Sequence, residues 1–249
     1  MSLQKPVLQN KQAFQKILKN YHPSQEALDT LRSTQVVFLI GPSASGRNTV
    51  IGELLKTNHY HYVLSNTTRP PRMIGDRLEY NGEAYWHITE DEFLDGLQNG
   101  RYLEAAVIHE QQVSGTVIDE YTKAKSQGKA AITDIEGIYG PPVFHGYSPI
   151  AQFIFILPPV FDAWINRLKG RGAISDEELC ERLVSAKQEI EAALSRDYYA
   201  YIISGELGVN VHAIDQYVRG DAEMEVDQDE AKKHAEQLLK SIDIFLASA

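Results

Sequence analysis

The sequence predicts an α/β protein: a parallel sheet with helices on both faces. Three observations carry that expectation. Val36 to Ile40 is a five-residue apolar run, too short for a helix and suited to a strand buried on both sides. A glycine-bearing loop follows at once, Gly41-Pro42-Ser43-Ala44-Ser45-Gly46, and then a helical pattern with Val50, Ile51, Leu54 and Leu55 on one side. Beyond it, strand patterns alternate with helical ones as far as residue 203, as expected of parallel strands joined by crossover helices.

Gly41 and Gly46 have the spacing of a phosphate-binding loop. Glycines let such a backbone turn tightly and aim its N–H groups at phosphate oxygens, and the helix that follows adds the positive end of its dipole. Arg47 stands where that motif has lysine. Asn48 stands where it has serine or threonine, and Thr49 supplies a hydroxyl one place later.

The 249 residues suit one large domain, or a domain with appendages. A formal net charge of −10 argues against non-specific nucleic-acid binding, while local arginines can still hold a small anion. The single cysteine, Cys180, has no partner for an internal disulfide and suits a reducing compartment. No apolar run reaches the length of a membrane span and no signal-peptide pattern is present, so a cytoplasmic protein without a membrane partner is expected.

The remaining segments follow in order. Phe14, Ile17, Leu18 and Tyr21 fall at helical spacing after Asn10, a candidate cap, and a second short helix follows Pro23; residues 1–34 read as a helical extension. Residues 59–64 alternate as a strand whose two histidines lack further metal ligands nearby. Ser65 to Arg72 sets two arginines around two prolines, a rigid cationic pair suited to a phosphate dianion. Tyr80 to Trp86 is aromatic, with a turn signal at Asn81-Gly82. Thr89 to Glu92 is a capping box opening a helix. Tyr102 to Ile108 reads as a strand with one acid, Glu104, among apolar neighbours; such an acid is expensive unless paired and is a ligand-binding candidate. Val117 to Ser126 reads as a helix. Ala130 to Ile135 is a strand leading to Asp134 and Glu136, at the end where parallel sheets bind ligands. A strand at 152–157, a helix after Pro158-Pro159, a second capping box at Ser175, a strand at 198–203 and a closing helix at 231–246 complete the chain. Residues 205–229 read as a polar, acidic insertion or mobile loop.

Taken together, these words resemble the guanylate kinase family from about residue 35 to 204, and through the last helix. They are Gly-Pro-Ser at 41–43, Ser65 with Thr67-Thr68-Arg69, Arg72, Tyr85, Asp91-Glu92-Phe93 and Leu103-Glu104 after Gly100. Gly115-Thr116, Asp134-Ile135-Glu136, Pro158-Pro159, Arg167-Leu168, Arg171-Gly172 and Arg182-Leu183 continue the series. The resemblance implies a P-loop three-layer core with a parallel sheet within residues 35–249. It also implies an inserted mixed α+β subdomain for a nucleoside monophosphate at about 65–118, and a short helical lid at about 166–182.

It further implies ATP:GMP phosphotransfer with ATP and Mg2+, and GMP or dGMP as the small-molecule acceptor. Gly41, Pro42, Ser43, Ala44, Ser45, Gly46, Arg47, Asn48 and Thr49 would then bind ATP. Arg69, Arg72 and Tyr85 would hold the acceptor phosphate, and Ser65, Glu104, Thr116 and Glu136 would read guanine. Arg47, Arg167, Arg171 and Arg182 would be catalytic, and Thr49 and Asp134 would serve the metal. Against the family pattern, Arg47 replaces lysine, Ser114 stands where a tyrosine usually touches the acceptor phosphate, Glu136 replaces an aspartate, and the stretch from Arg72 to Tyr85 is longer. A second reading, from a different class, is a catalytically inactive guanylate-kinase-like module that binds a nucleotide or a protein. The glycines and lid arginines favour the enzyme. Oligomeric state stays open.

Overall fold

The computed structural model describes residues 8–108, 110–170, 174–224 and 227–248. Along the chain the elements begin with α1 (Lys11–Leu18), α2 (Gln25–Arg32), β1 (Val36–Ile40), α3 (Arg47–Lys56), β2 (Tyr60–Tyr62), β3 (Asn66–Thr67), β4 (Met73–Ile74) and β5 (Arg77–Leu78). Next come β6 (Trp86–His87), α4 (Glu90–Gln98), β7 (Tyr102–Ile108), β8 (Gln112–Val117), α5 (Ile118–Ser126), β9 (Ala130–Asp134) and α6 (Gly140–Tyr147). The last are β10 (Gln152–Leu157), α7 (Phe161–Lys169), α8 (Asp176–Leu194), β11 (Tyr199–Ile203), α9 (Leu207–Arg219) and α10 (Gln228–Ser248). The fold divides into two compact units, one from the chain up to Gln35 together with His61–Ala131, the other from Val36–Tyr60 and from Ile132 onward.

The second unit rests on a five-stranded sheet ordered β11-β10-β1-β9-β2. Its pairings of β1 with β10 and of β10 with β11 are parallel. No residue of β1 is more than 2% exposed, the state that its uninterrupted apolar run requires. Phe38 lies opposite Phe153 and their rings stack at 5.1 Å. Helix α10 packs on α7, α8 and β11. From its first turn the Gln228 amide accepts from Tyr201 N and donates to Tyr201 O, which covers the open edge of β11.

Two helices differ from expectation. Residues 207–219, expected within a polar insertion or loop, form α9 packed on α3. Asn210, Ala213, Ile214 and Val218 recur at helical spacing and are buried, a stripe diluted by the acidic residues that follow. Gly220 ends the helix in the left-handed region at φ +74°. Residues 140–147, for which the sequence suggests no element, form α6 with prolines in its first turn, where a missing N–H does no harm.

The first unit holds a mixed sheet ordered β6-β3-β8-β7, antiparallel from β3 through β8 to β7, and a small β4–β5 hairpin within the long connection from Arg72 to Tyr85. Its core joins Leu8 and Phe14 to Phe93, Leu97, Tyr102, Val113 and Val117. The Thr89–Glu92 capping box is fully formed. The Asn10 side chain makes no cap bond; the Glu90 carboxylate instead accepts from the backbone N–H groups of Gln9 and Asn10.

Candidate functional site

The phosphate loop of the second unit connects β1 to α3. Gly41 is required there, since a Cβ at this position would sit 2.3 Å from the Ile156 carbonyl oxygen. Gly46 caps α3 at φ +109° without a side-chain cap, so no side chain competes for the first N–H groups of the helix. Ala44 is a finding that its sequence neighbours do not announce: it is buried and holds φ at +62°, a conformation that its Cβ disfavours. The indole N–H of Trp164, on α7, donates to the Ser43 carbonyl at 2.9 Å and pins the loop from behind.

Arg47 opens α3 and pairs with Asp134, at the end of β9, at 3.8 Å. Glu189 of α8 is a third member of this group that sequence spacing did not single out. Burial pushes its carboxyl up to about 6; the Arg47 guanidinium pulls it down and the charge of Glu136 pushes it up. Asn48 and Thr49 are exposed on the first turn of α3. A cavity of about 420 Å³ lies over this turn, lined by Ala44, Gly46, Thr49, Arg167, Ser204 and Asn210 among others. Arg167 donates to the Ser204 hydroxyl at 2.8 Å, and Arg182 to Glu178 one turn away on α8 at 2.6 Å. Arg171 lies outside the described residues.

In the first unit, Arg69 is held firmly. It is 7% exposed, with Nη2 on both carboxylate oxygens of Glu79 at 2.9 and 3.1 Å and Nη1 on the Pro70 carbonyl, and its guanidinium lies over the Tyr85 ring. Burial alone would raise the Glu79 pKa, but the Arg72 N–H and the Arg69 guanidinium outweigh it and hold that carboxyl below its ordinary value. His87 completes the cluster through Nδ1 and the Arg69 carbonyl, 2.7 Å apart. The Arg72 side chain is exposed beside it.

Glu104 on β7 and Thr116 on β8 face one another, the Thr116 hydroxyl donating to the carboxylate at 2.7 Å. Burial raises the Glu104 pKa, and the bond from Thr116 only partly offsets this. Tyr121, a fully buried residue of α5, has a hydroxyl without a hydrogen-bond partner among the described residues; burial and the neighbouring Glu104 charge both raise its pKa. Ser65 is half-buried just before β3, and Ser114 donates to the Thr67 hydroxyl at 2.9 Å. Glu136, grouped with these residues by the family resemblance, belongs to the second unit. There its carboxylate accepts the N–H groups of Ile138 and Tyr139 at 2.8 and 2.6 Å and so stabilises its own turn.

The buried strand, the glycine loop and the uncapped start of α3 define a P-loop nucleotide-binding protein. The family model for guanylate kinase matches residues 33–219. A guanylate kinase from Nostoc sp. is 36% identical over 162 residues, covering 65% of this chain and 78% of the relative. One from Corynebacterium glutamicum is 31% identical over 188 residues, covering 75% and 95% respectively. The crystal structure of guanylate kinase from Anaplasma phagocytophilum shares the fold with a TM-score of 0.54 at 22% identity, over 84% of this chain and 95% of that one. The chain belongs to the guanylate kinase family. Among the described residues, no helix is long and apolar enough to cross a membrane.

Proposed function

We propose that this protein transfers the γ-phosphoryl group of ATP to GMP or dGMP, giving ADP and the guanosine diphosphate. Glu104 carries the reading. Its carboxylate is largely buried, hydrogen-bonded to Thr116, and pairs with no cation among the described residues. A desolvated carboxylate of this kind gains most from a ligand that brings its own donors. Guanine offers N1–H and N2–H₂ as a pair, and adenine offers no matching donors at those positions. Ser65, Thr116 and Glu136 are the further groups we assign to the base. Arg69, Arg72 and Tyr85 are assigned to the acceptor phosphate, with Arg69 already held in place by Glu79.

The loop from Gly41 to Thr49 supplies backbone donors for the ATP phosphates. Arg47, Arg167, Arg171 and Arg182 neutralise charge as the phosphoryl group moves, a reaction governed by positioning and electrostatics more than by a base. Among the described residues no cluster of three acidic, histidine or cysteine side chains could cage a metal. The oxygens of Thr49 and Asp134 suit Mg²⁺ nonetheless, since that ion keeps several waters and relies on one or two protein oxygens plus phosphates. Bound with ATP, it would offset charge on the phosphate oxygens. We assign residues 65–118 to monophosphate binding, 166–182 to the lid and 1–34 to a helical extension of the 35–249 domain. We place the protein in the cytoplasm, with small-molecule substrates and no nucleic-acid or membrane partner.

A coupled assay of ADP release with GMP, dGMP, AMP, CMP and UMP tests the reading, which expects turnover with the guanine nucleotides alone. GMP binding by calorimetry without any ADP release would overturn it in favour of an inactive binding module. Glu104→Gln should lower kcat/KM for GMP by about 10²-fold or more, because the amide presents a donor to guanine's donors.

A further inference from the structure

We propose that the segment 8–24 is the backing that aims Glu104, with Tyr21 as its positioning residue. The proposal rests on the reading of Glu104 as the guanine acceptor. Among the described strands β7 lies at the edge of its sheet, and the outward backbone groups of an edge strand have no neighbouring strand to pair with. At Tyr102 a single hydroxyl takes that place. Tyr21 Oη donates to the Tyr102 carbonyl at 2.6 Å and accepts from the Tyr102 N–H at 2.9 Å.

This is the point where the ladder is irregular. Tyr102 lies opposite Val117 and Glu104 opposite Thr116, so β7 advances two residues while β8 advances one. Leu103 is the extra residue of a bulge, and bulges re-aim the side chains that follow them. Here the result is a Glu104 carboxylate 2.7 Å from the Thr116 hydroxyl.

Other contacts hold the segment along the same strand. Ser24 N donates to the Gly100 carbonyl at 2.8 Å, just before β7. Gly100 has φ +65°, and a Cβ there would lie 2.7 Å from Ser24 N. Phe14 is fully buried in the core that includes Tyr102, whose ring stacks on Phe93 at 4.2 Å. At the far end of the β7–β8 hairpin, Lys11 pairs with Glu110 at 2.9 Å. The guanylate kinase family model begins at residue 33, so this backing lies outside the matched region.

Tyr21→Phe removes the hydroxyl and keeps the ring. The Tyr102 N–H and C=O then lose their partner, the bulge loosens, and Glu104 is no longer pre-organised for a paired donor. The expected result is a GMP KM raised roughly tenfold, the magnitude of one or two lost hydrogen bonds, with the ATP KM unchanged. Ile242→Ala is the control: it truncates a fully buried residue of α10, outside the segment and outside the first unit, and should lower the melting temperature while leaving the GMP KM in place. An unchanged GMP KM in Tyr21→Phe overturns the proposal, as does an equal rise in both variants. Hydrogen exchange of the unsubstituted protein reads the same coupling. GMP should slow the amides of residues 14–24 and ATP should not; no protection by GMP overturns the proposal as well. If Glu104→Gln leaves GMP use unchanged, the guanine reading itself fails. If Glu104→Gln abolishes GMP use while Tyr21→Phe changes nothing, only the positioning role fails.

Discussion

Arg47 Nη1 stands 3.8 Å from a carboxylate oxygen of Asp134, with both side chains mostly buried. Arg47 opens α3, and this pairing draws its guanidinium toward the end of β9, where it can act as a placed cation. Arg47→Ala should lower kcat on the order of 10²-fold, about 3 kcal/mol of transition-state stabilisation. Arg47→Lys should keep most of the activity, because an ammonium can take the same position with less bulk. Steady-state kinetics at saturating ATP and GMP decides the point; an Arg47→Ala enzyme with wild-type kcat would remove Arg47 from the chemistry.

Arg69 and Arg72 should separate by experiment although they flank the same two prolines. Arg72 is exposed, whereas Arg69 is buried against Glu79. Arg72→Ala should raise the GMP KM with the melting temperature nearly unchanged. Arg69→Ala should raise the GMP KM and also lower the melting temperature by several degrees, because Glu79 is left without its guanidinium. Equal thermal stability of the two variants would contradict the structural role of the Arg69–Glu79 pair.

Ala44 holds φ at +62° inside the phosphate loop. A left-handed alanine costs about 1 kcal/mol relative to glycine, partly offset by the greater freedom of an unfolded glycine. Ala44→Gly should therefore stabilise the protein slightly, by about 1 kcal/mol or less, read as a melting temperature up to about 4 °C higher. A lower melting temperature would show that the loop relieves the strain in another way.

Glu189 gives stability a pH dependence of defined sign. Its carboxyl is raised from 4.5 to about 6 in the folded protein, so folding favours the protonated form. That contribution is complete below about pH 4.5 and is lost as pH rises through about 6. The loss amounts to about 2 kcal/mol. Relative to Glu189→Gln, the wild type should lose stability between pH 4.5 and 7.5, measured by denaturant unfolding across that range. Parallel pH curves for the two proteins would contradict this.

Short-range order was legible because its causes are short-range. The apolar run of β1, the glycines of the loop, the Thr89 capping box and the lone acid in β7 each depend on residues a few positions apart. Burial and hydrogen-bond demand then follow from the pattern itself. Helix α9 escaped because its buried stripe of Asn210, Ala213, Ile214 and Val218 is short and runs into an acidic stretch. The partners of the site were set only when distant segments met. Arg69 gains Glu79 from beyond a hairpin, Ser43 gains the Trp164 indole, Arg47 has Glu189 as a neighbouring charge from α8, and Tyr102 gains the Tyr21 hydroxyl. Glu136 shows the converse, an acid whose oxygens accept from the N–H groups of its own turn. A side chain's type announces that it needs a partner; which group answers depends on the path by which the backbone returns, and that is decided by packing in three dimensions.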